Sequence, residues 1–215
     1  MNWARFRHFP WVDTRARFVA ATPSNGALLD LGTSDGETLG HMAELRPDLR
    51  LSAADIAGPP KISPPECEFH RVDLENQKLP WPDSSMDAIT CIHLVEHLND
   101  LGLLLSEIAR VLKPSGRIYF ETPHPKSLVL SSSLHAQVPL NFFDDLTHVR
   151  PVVVGALAHH VRGAGLHVEA IGTSRNWLFA ASWPLFAFLP ASRRKSTAHL
   201  HWLGWSAYLI ARRPL

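Results

Sequence analysis

The chain has 215 residues, 46% of them hydrophobic, and 21 Lys and Arg stand against 20 Asp and Glu, a formal net charge of +1. That length buries one substantial core and is short for two, so a single domain over 1–215 is expected, and the charge balance supplies no field that gathers nucleic acid nonspecifically. The two cysteines, Cys67 and Cys91, fall in no metal or redox spacing and fit inert thiols in a reducing compartment better than a disulfide scaffold.

In chain order, residues 1–10 interrupt their apolar side chains with Arg5, Arg7 and His8. No continuous signal-peptide core forms, and a cytoplasmic location is expected. Residues 27–31 read as a first strand and 36–45 as a helix with Leu39, Met42 and Leu45 on one face. Strands follow at 50–56, 68–72 and 86–93. The spacing of Leu101, Leu104, Ile108 and Leu112 predicts a helix over 98–112 that stops at Lys113-Pro-Ser-Gly116, before a fifth strand at 117–122. Residues 123–150 lose all periodicity, a loop long enough to suggest function. Pro151 opens a helix continuing over 152–163, residues 166–172 form a sixth strand, and 205–211 a last one. Between them lies an insertion, apolar over 177–190 and polar over 192–197. The apolar run contains Pro184 and is shorter than the roughly 20 residues a spanning helix needs. Alternating strands and helices imply an α/β fold with helices on both faces of a mostly parallel sheet.

In such sheets ligands bind beyond the carboxyl ends of the strands, where a glycine-rich first turn lets backbone and helix N-terminus approach them. The run DLGTSDG at 30–36 occupies that turn. Its spacing places Gly32, Ser34 and then Glu37 where a dinucleotide fingerprint needs three small residues, so a nicotinamide cofactor fits poorly. Asp55 ends the second strand about 20 residues on, where a carboxylate accepts both hydroxyls of a ribose.

The runs LLDLGTSDG (28–36), LPWPDSSMD (79–87) and EIARVLKPSGR (107–117), together with Asp73, resemble class I S-adenosylmethionine-dependent methyltransferases over roughly residues 27–122. The resemblance implies a Rossmann-like, seven-stranded sheet whose antiparallel final strand, 205–211, lies at the edge, with the cofactor half over about 20–122 and the acceptor loops and insertion over about 123–200. It also implies a cofactor site in which Asp30 and Gly32 sit beside the methionine moiety, Asp55 binds the ribose, Val72 and Asp73 frame the adenine and His93 lies near the sulfonium, with Ser34, Gly36 and Ile56 among the cofactor-binding residues. Ser34 departs from the family, which usually has a second glycine there.

Methyl transfer from a sulfonium is an in-line displacement, so the protein mainly aligns a nucleophile and excludes water, and a hydroxyl acceptor adds the need for a base. Amine-directed nucleic-acid methyltransferases carry an Asn/Asp-Pro-Pro-aromatic motif after the fourth strand. Here that place reads CIHL (91–94), which disfavours base methylation. The segments ETPHP (121–125) and NFFDDLTHVRP (141–151) resemble methyltransferases of polysaccharide biosynthesis, which implies a sugar hydroxyl, a mannoside among the candidates. His148, with His124 as its rival, is the expected general base. Glu121, Asp144 and Asp145 supply three carboxylates for a hard cation such as Mg²⁺, and Trp177, Trp183 and Trp202 are expected on the pocket walls. Should the apolar run 177–190 be exposed, a lipid, quinone or phenolic acceptor becomes more attractive, with Arg193, Arg194 and Lys195 suited to anionic headgroups. A noncatalytic cofactor-binding protein is the reading from another class.

Overall fold

The computed structural model describes Trp3 and residues 7–131, 140–190 and 192–215. The first part of the loop expected over 123–150 is thus seen, while 132–139 lie outside the described residues. Seven strands, β1 (Ala27–Leu31), β2 (Arg50–Asp55), β3 (Glu68–Arg71), β4 (Met86–Ile92), β5 (Leu112–Pro123), β6 (His167–Ser174) and β7 (Ser206–Arg212), form one sheet in the order β3-β2-β1-β4-β5-β7-β6. The first five run parallel and β7 pairs antiparallel with both β5 and β6.

The sheet is apolar on both faces because helices cover both. In β1, Leu28 packs into a core with Ala16, Phe18 and Val19 of α1 (Thr14–Ala20) and Leu39, Met42 and Leu45 of α2 (Glu37–Leu45). Its neighbours Leu29 and Leu31 point the other way, into a core with Leu104 and Ile108 of α3 (Gly102–Val111) and Leu157 and Val161 of α4 (Val154–Gly163). The helical faces legible from the sequence are therefore the buried ones.

The structure corrects several sequence expectations. The final strand is not an edge: β7 lies between β5 and β6, and β6 takes the edge. The Lys113–Gly116 turn belongs to a long, irregular β5, whose register against β4 shifts between Met86 and Ala88. Pro151 does not open α4, which starts at Val154 behind Val153 as N-cap. The insertion folds as two helices, α5 (Trp177–Phe186), with Pro184 inside it, and α6 (Arg193–Leu203). Two caps join α5 to α1. Asp13 Oδ1 accepts from the N–H groups of Arg15 and Ala16 to start α1, and Asn176 Oδ1 accepts from Leu178 and Phe179 to start α5. The caps also bond to each other, Asn176 Nδ2 donating to Asp13 Oδ2 at 3.0 Å, which ties the N-termini of the two helices together.

Candidate active site

The turn after β1 needs left-handed backbone at three residues, Gly32 (φ 74°), Ser34 (φ 52°) and Gly36 (φ 84°). Gly36 has no alternative: a Cβ there would stand 1.9 Å from the Ile62 carbonyl oxygen, because the proline-rich segment 58–65 lies over the start of α2, with Ile62 N–H donating to Asp35 O. Ser34 accepts the same conformation and donates its N–H to Asp55 Oδ2 at 2.8 Å, while Ala57 N–H donates to Asp55 Oδ1 at 2.8 Å. The strand-end carboxylate thus shapes the turn. Each of its oxygens keeps a second lone pair for a further donor. Ile56 beside it is 59% exposed, an apolar surface suited to a base, whereas Val72 is buried in the core. Asp73 organises its own turn through Glu75 N–H and Asn76 Nδ2.

Asp30 is 3% exposed and receives the Thr90 hydroxyl at 2.7 Å. Burial drives its pKa up to about 6, against the opposing pull of that hydrogen bond. A buried carboxylate held partly protonated beside a glycine turn gains most from a cationic neighbour.

Next to this turn, the exits of β4 and β5 meet α1. Glu121 is fully buried and paired with the Arg15 guanidinium, Nε donating to Oε2 at 2.9 Å and Nη2 to Oε1. Tyr119 adds its hydroxyl to Glu121 Oε2 at 2.6 Å. Burial alone would raise the Glu121 pKa, but Arg15, with help from His93, holds it well below the usual carboxylate range. His93 (φ 52°) sits between two acids, Nδ1 3.0 Å from Glu96 Oε1 and Nε2 3.4 Å from Glu121 Oε1. Burial pulls its pKa down, yet the bonds to Glu121 and Glu96 outweigh it and carry it up to about 9.

Arg15, His93 and Glu121 line the floor of a cavity of about 850 Å³. Its walls include Glu37 and His41 of α2, Phe179 of α5, and Arg193 and Leu200 of α6. The volume suits a small-molecule ligand. Trp3 and Trp205 line it, whereas the expected Trp177, Trp183 and Trp202 do not. Trp183 stacks on His199 and Trp177 is 59% exposed.

His93, expected beside the sulfonium, and Glu121, expected as a metal ligand, line the cavity, whereas His148, His124, Asp144 and Asp145 do not. His148 Nδ1 donates to the Phe142 carbonyl at 2.6 Å and its ring stacks on Phe142. His124 caps a short 3-10 turn, Nδ1 accepting from Lys126 N–H. Nor are Glu121, Asp144 and Asp145 gathered around one point. Among the described residues the cluster with metal-binding spacing is Glu96, His97 and His148 instead. Asp144 Oδ2 accepts from the Leu140 and Asn141 N–H groups, and Asp145 Oδ1 from the Thr147 N–H and hydroxyl. Sequence reasoning missed Arg15 altogether. Asp13 followed by TRARFVA carried the N-cap signal for its helix, but nothing local named Glu121, 106 residues on, as its partner.

Comparison with known proteins points one way. The profile of a family described as Methyltransferase domain matches residues 3–171. A Mycolicibacterium smegmatis protein named "Probable S-adenosylmethionine-dependent methyltransferase" is 33% identical over 106 residues, 48% of this chain and 38% of that one. The ubiquinone biosynthesis O-methyltransferase of Pseudomonas syringae is 27% identical over 176 residues, 75% of this chain and 71% of that one. Across the first four curated relatives the match spans 38% to 54% of their length. An S-adenosylmethionine-dependent methyltransferase structure from Mesorhizobium loti superimposes with a TM-score of 0.64 at 18% identity, covering 96% of this chain and 98% of that one, a likeness of fold alone.

Proposed function

The chain belongs to the methyltransferase domain family, among the class I S-adenosylmethionine-dependent methyltransferases, and on that premise we propose that it transfers a methyl group to a hydroxyl of an acceptor with an apolar tail. S-Adenosylmethionine supplies the methyl group when bound. The residues present fit it: a strand-end Asp55 with unfilled lone pairs, an exposed Ile56 for the adenine, and a buried Asp30 that favours a cation.

The observation that carries the acceptor class is the position of α5. Its Phe179 lines the cavity, while Trp177, Leu178 and Leu185 on the same helix, and Phe188 just past its end, lie exposed, Leu185 at 77% and Phe188 at 91%. A helix that offers an aromatic ring to the cavity and is apolar on its outer side suits an amphiphile whose polar head enters and whose tail leaves across the helix. Arg15 presents a permanent cation to the head, since its bond to Glu121 leaves donors of the planar fork over for a ligand oxygen. A cation there favours an acidic, phenol-like hydroxyl that ionises without a strong base, consistent with His148 and His124 lying off the cavity. The similarity to a ubiquinone biosynthesis O-methyltransferase supports the same class. The sugar reading rests on the segments 121–125 and 141–151, and of their residues Glu121 alone lines the cavity.

The test is turnover of S-adenosylmethionine to S-adenosylhomocysteine with three acceptors: a polyprenylated catechol, the same catechol without its tail, and a methyl mannoside. The tailed catechol should react at least tenfold faster, as kcat/KM, than the truncated one. Turnover confined to the mannoside would reverse the assignment.

A further inference from the structure

Behind the cavity floor, on the far side of His93, a second cluster has no part in the reading above. One ligand atom each from Glu96, His97 and His148 lie within 4.8 Å of one another. We infer that these three residues hold a divalent transition-metal ion of the zinc class, which clamps the segment 140–150 onto the exit of β4.

Three observations converge. The first is an orphan: Glu96 is fully buried, its Oε1 meets His93 at 3.0 Å, and its Oε2 has no partner. A buried carboxylate oxygen without a donor is costly, and a cation answers it. The second is the state of the two imidazoles. The Thr147 hydroxyl gives its proton to Asp145 Oδ1 at 2.6 Å, so the oxygens Thr147 presents to His97 Nδ1, the hydroxyl at 3.0 Å and the carbonyl at 3.1 Å, both act as acceptors. His97 Nδ1 therefore carries the proton. His148 Nδ1 likewise donates to the Phe142 carbonyl at 2.6 Å. In the neutral ring Nε2 then holds the lone pair, the arrangement in which one imidazole nitrogen is fixed by a backbone carbonyl and the other takes a metal, and Asp145 Oδ2 stands 3.8 Å from His148 Nε2. The third is proximity: the two rings stand 4.8 Å apart between centroids, although they come from segments 50 residues apart and joined by Val149 N–H donating to Glu96 O at 2.9 Å.

The donor set names the ion. Two nitrogens and one carboxylate oxygen suit Zn²⁺, Co²⁺ or Fe²⁺, whereas Mg²⁺ prefers an all-oxygen shell. Ligand atoms at about 2.1 Å from an ion stand roughly 3.4 Å apart in a tetrahedron, so the cluster closes by about an ångström through side-chain rotation. Because Glu96 also holds His93, the ion would position a cavity residue without touching the acceptor.

The experiment uses the full chain stripped with chelator and titrated with Co²⁺ or Zn²⁺ alone. Co²⁺ should bind 1:1 with visible absorption bands of a tetrahedral or five-coordinate site, displaced by Zn²⁺. Zn²⁺ at a hundredfold excess over its Kd should raise the melting temperature by about 5–10 °C. Affinity should fall at least tenfold in His97→Ala, His148→Ala and Glu96→Gln, and stay unchanged in His159→Ala, which removes an exposed histidine of α4. Circular dichroism of the metal-free variants separates loss of the site from loss of the fold. Equal binding by all four variants, or tighter binding of Mg²⁺ than of Zn²⁺, would overturn the assignment.

Discussion

Asp30→Asn gives the sharpest stability prediction. Asp30 rises from 3.8 to about 6 on folding, chiefly through burial. A carboxyl whose folded pKa is raised binds its proton more tightly in the native state, so its contribution favours the fold at low pH and is lost as pH climbs through the folded pKa. At about 1.4 kcal/mol per unit, two units cost about 3 kcal/mol at pH 7.5. At pH 5, where the folded carboxyl is still mostly protonated, the cost is about 1.5 kcal/mol. With Asp30 only 3% exposed, solvent screening takes little from these figures. The amide keeps an oxygen for the Thr90 hydroxyl and does not titrate. Urea unfolding of both proteins at pH 5.0 and 7.5 should therefore show the variant gaining roughly 1–2 kcal/mol on the wild type between the two. Histidines titrating in that interval are common to both proteins and cancel. A difference in stability that does not change with pH would refute the claim that Asp30 is held uncomfortably buried.

Three further outcomes follow from the site. Affinity for S-adenosylmethionine should rise as pH increases through about 6, when Asp30 takes up its charge, and calorimetric titration of Asp30→Asn should show that dependence flattened. Glu121→Gln leaves the Arg15 guanidinium without its counter-charge. Because the Arg15 side chain keeps 28% of its surface open to the cavity, the loss should sit near the lower end for a broken buried pair, about 3 kcal/mol in a denaturant melt; a change below about 1 kcal/mol would mean the pair is solvated. Gly36→Ala drives a Cβ against the Ile62 carbonyl in left-handed backbone and should cost more than about 1 kcal/mol and weaken S-adenosylhomocysteine binding at least tenfold, whereas a wild-type melt and titration would show that the segment 58–65 yields freely.

The sequence was most informative where the physics is local. The turn at 30–36, the buried strand β1 and the face of α2 follow from spacing over a few residues and lie where the pattern put them, whereas α3 keeps Leu104 and Ile108 buried but starts at Gly102, with Leu101 as its N-cap and Leu112 passed to β5. It was least informative where partners lie far apart in the chain. Nothing within ten residues of Arg15 or Glu121 predicts that they meet, and no local pattern says that β7 slots between β5 and β6. His148 shows the difference well: as a residue type in a polar loop it suited a general base, but its neighbours in space are Phe142 and His97, and the cavity is elsewhere. The apolar run 177–190 was ambiguous because hydrophobic composition does not reveal whether a helix is covered, and only the packed structure leaves Leu185 and Phe188 in the open.

The position of β7 bears on how this protein is made. During synthesis β6 emerges before β7, yet it has no seat in the sheet until β7 has bonded to β5. Until β7 is in place one side of β5 is unpaired, an edge of the kind able to recruit a neighbouring chain. A polypeptide lacking residues 206–212 retains the glycine turn but loses the strand through which β6 joins the sheet, and with it the cavity wall that Ser206 supplies.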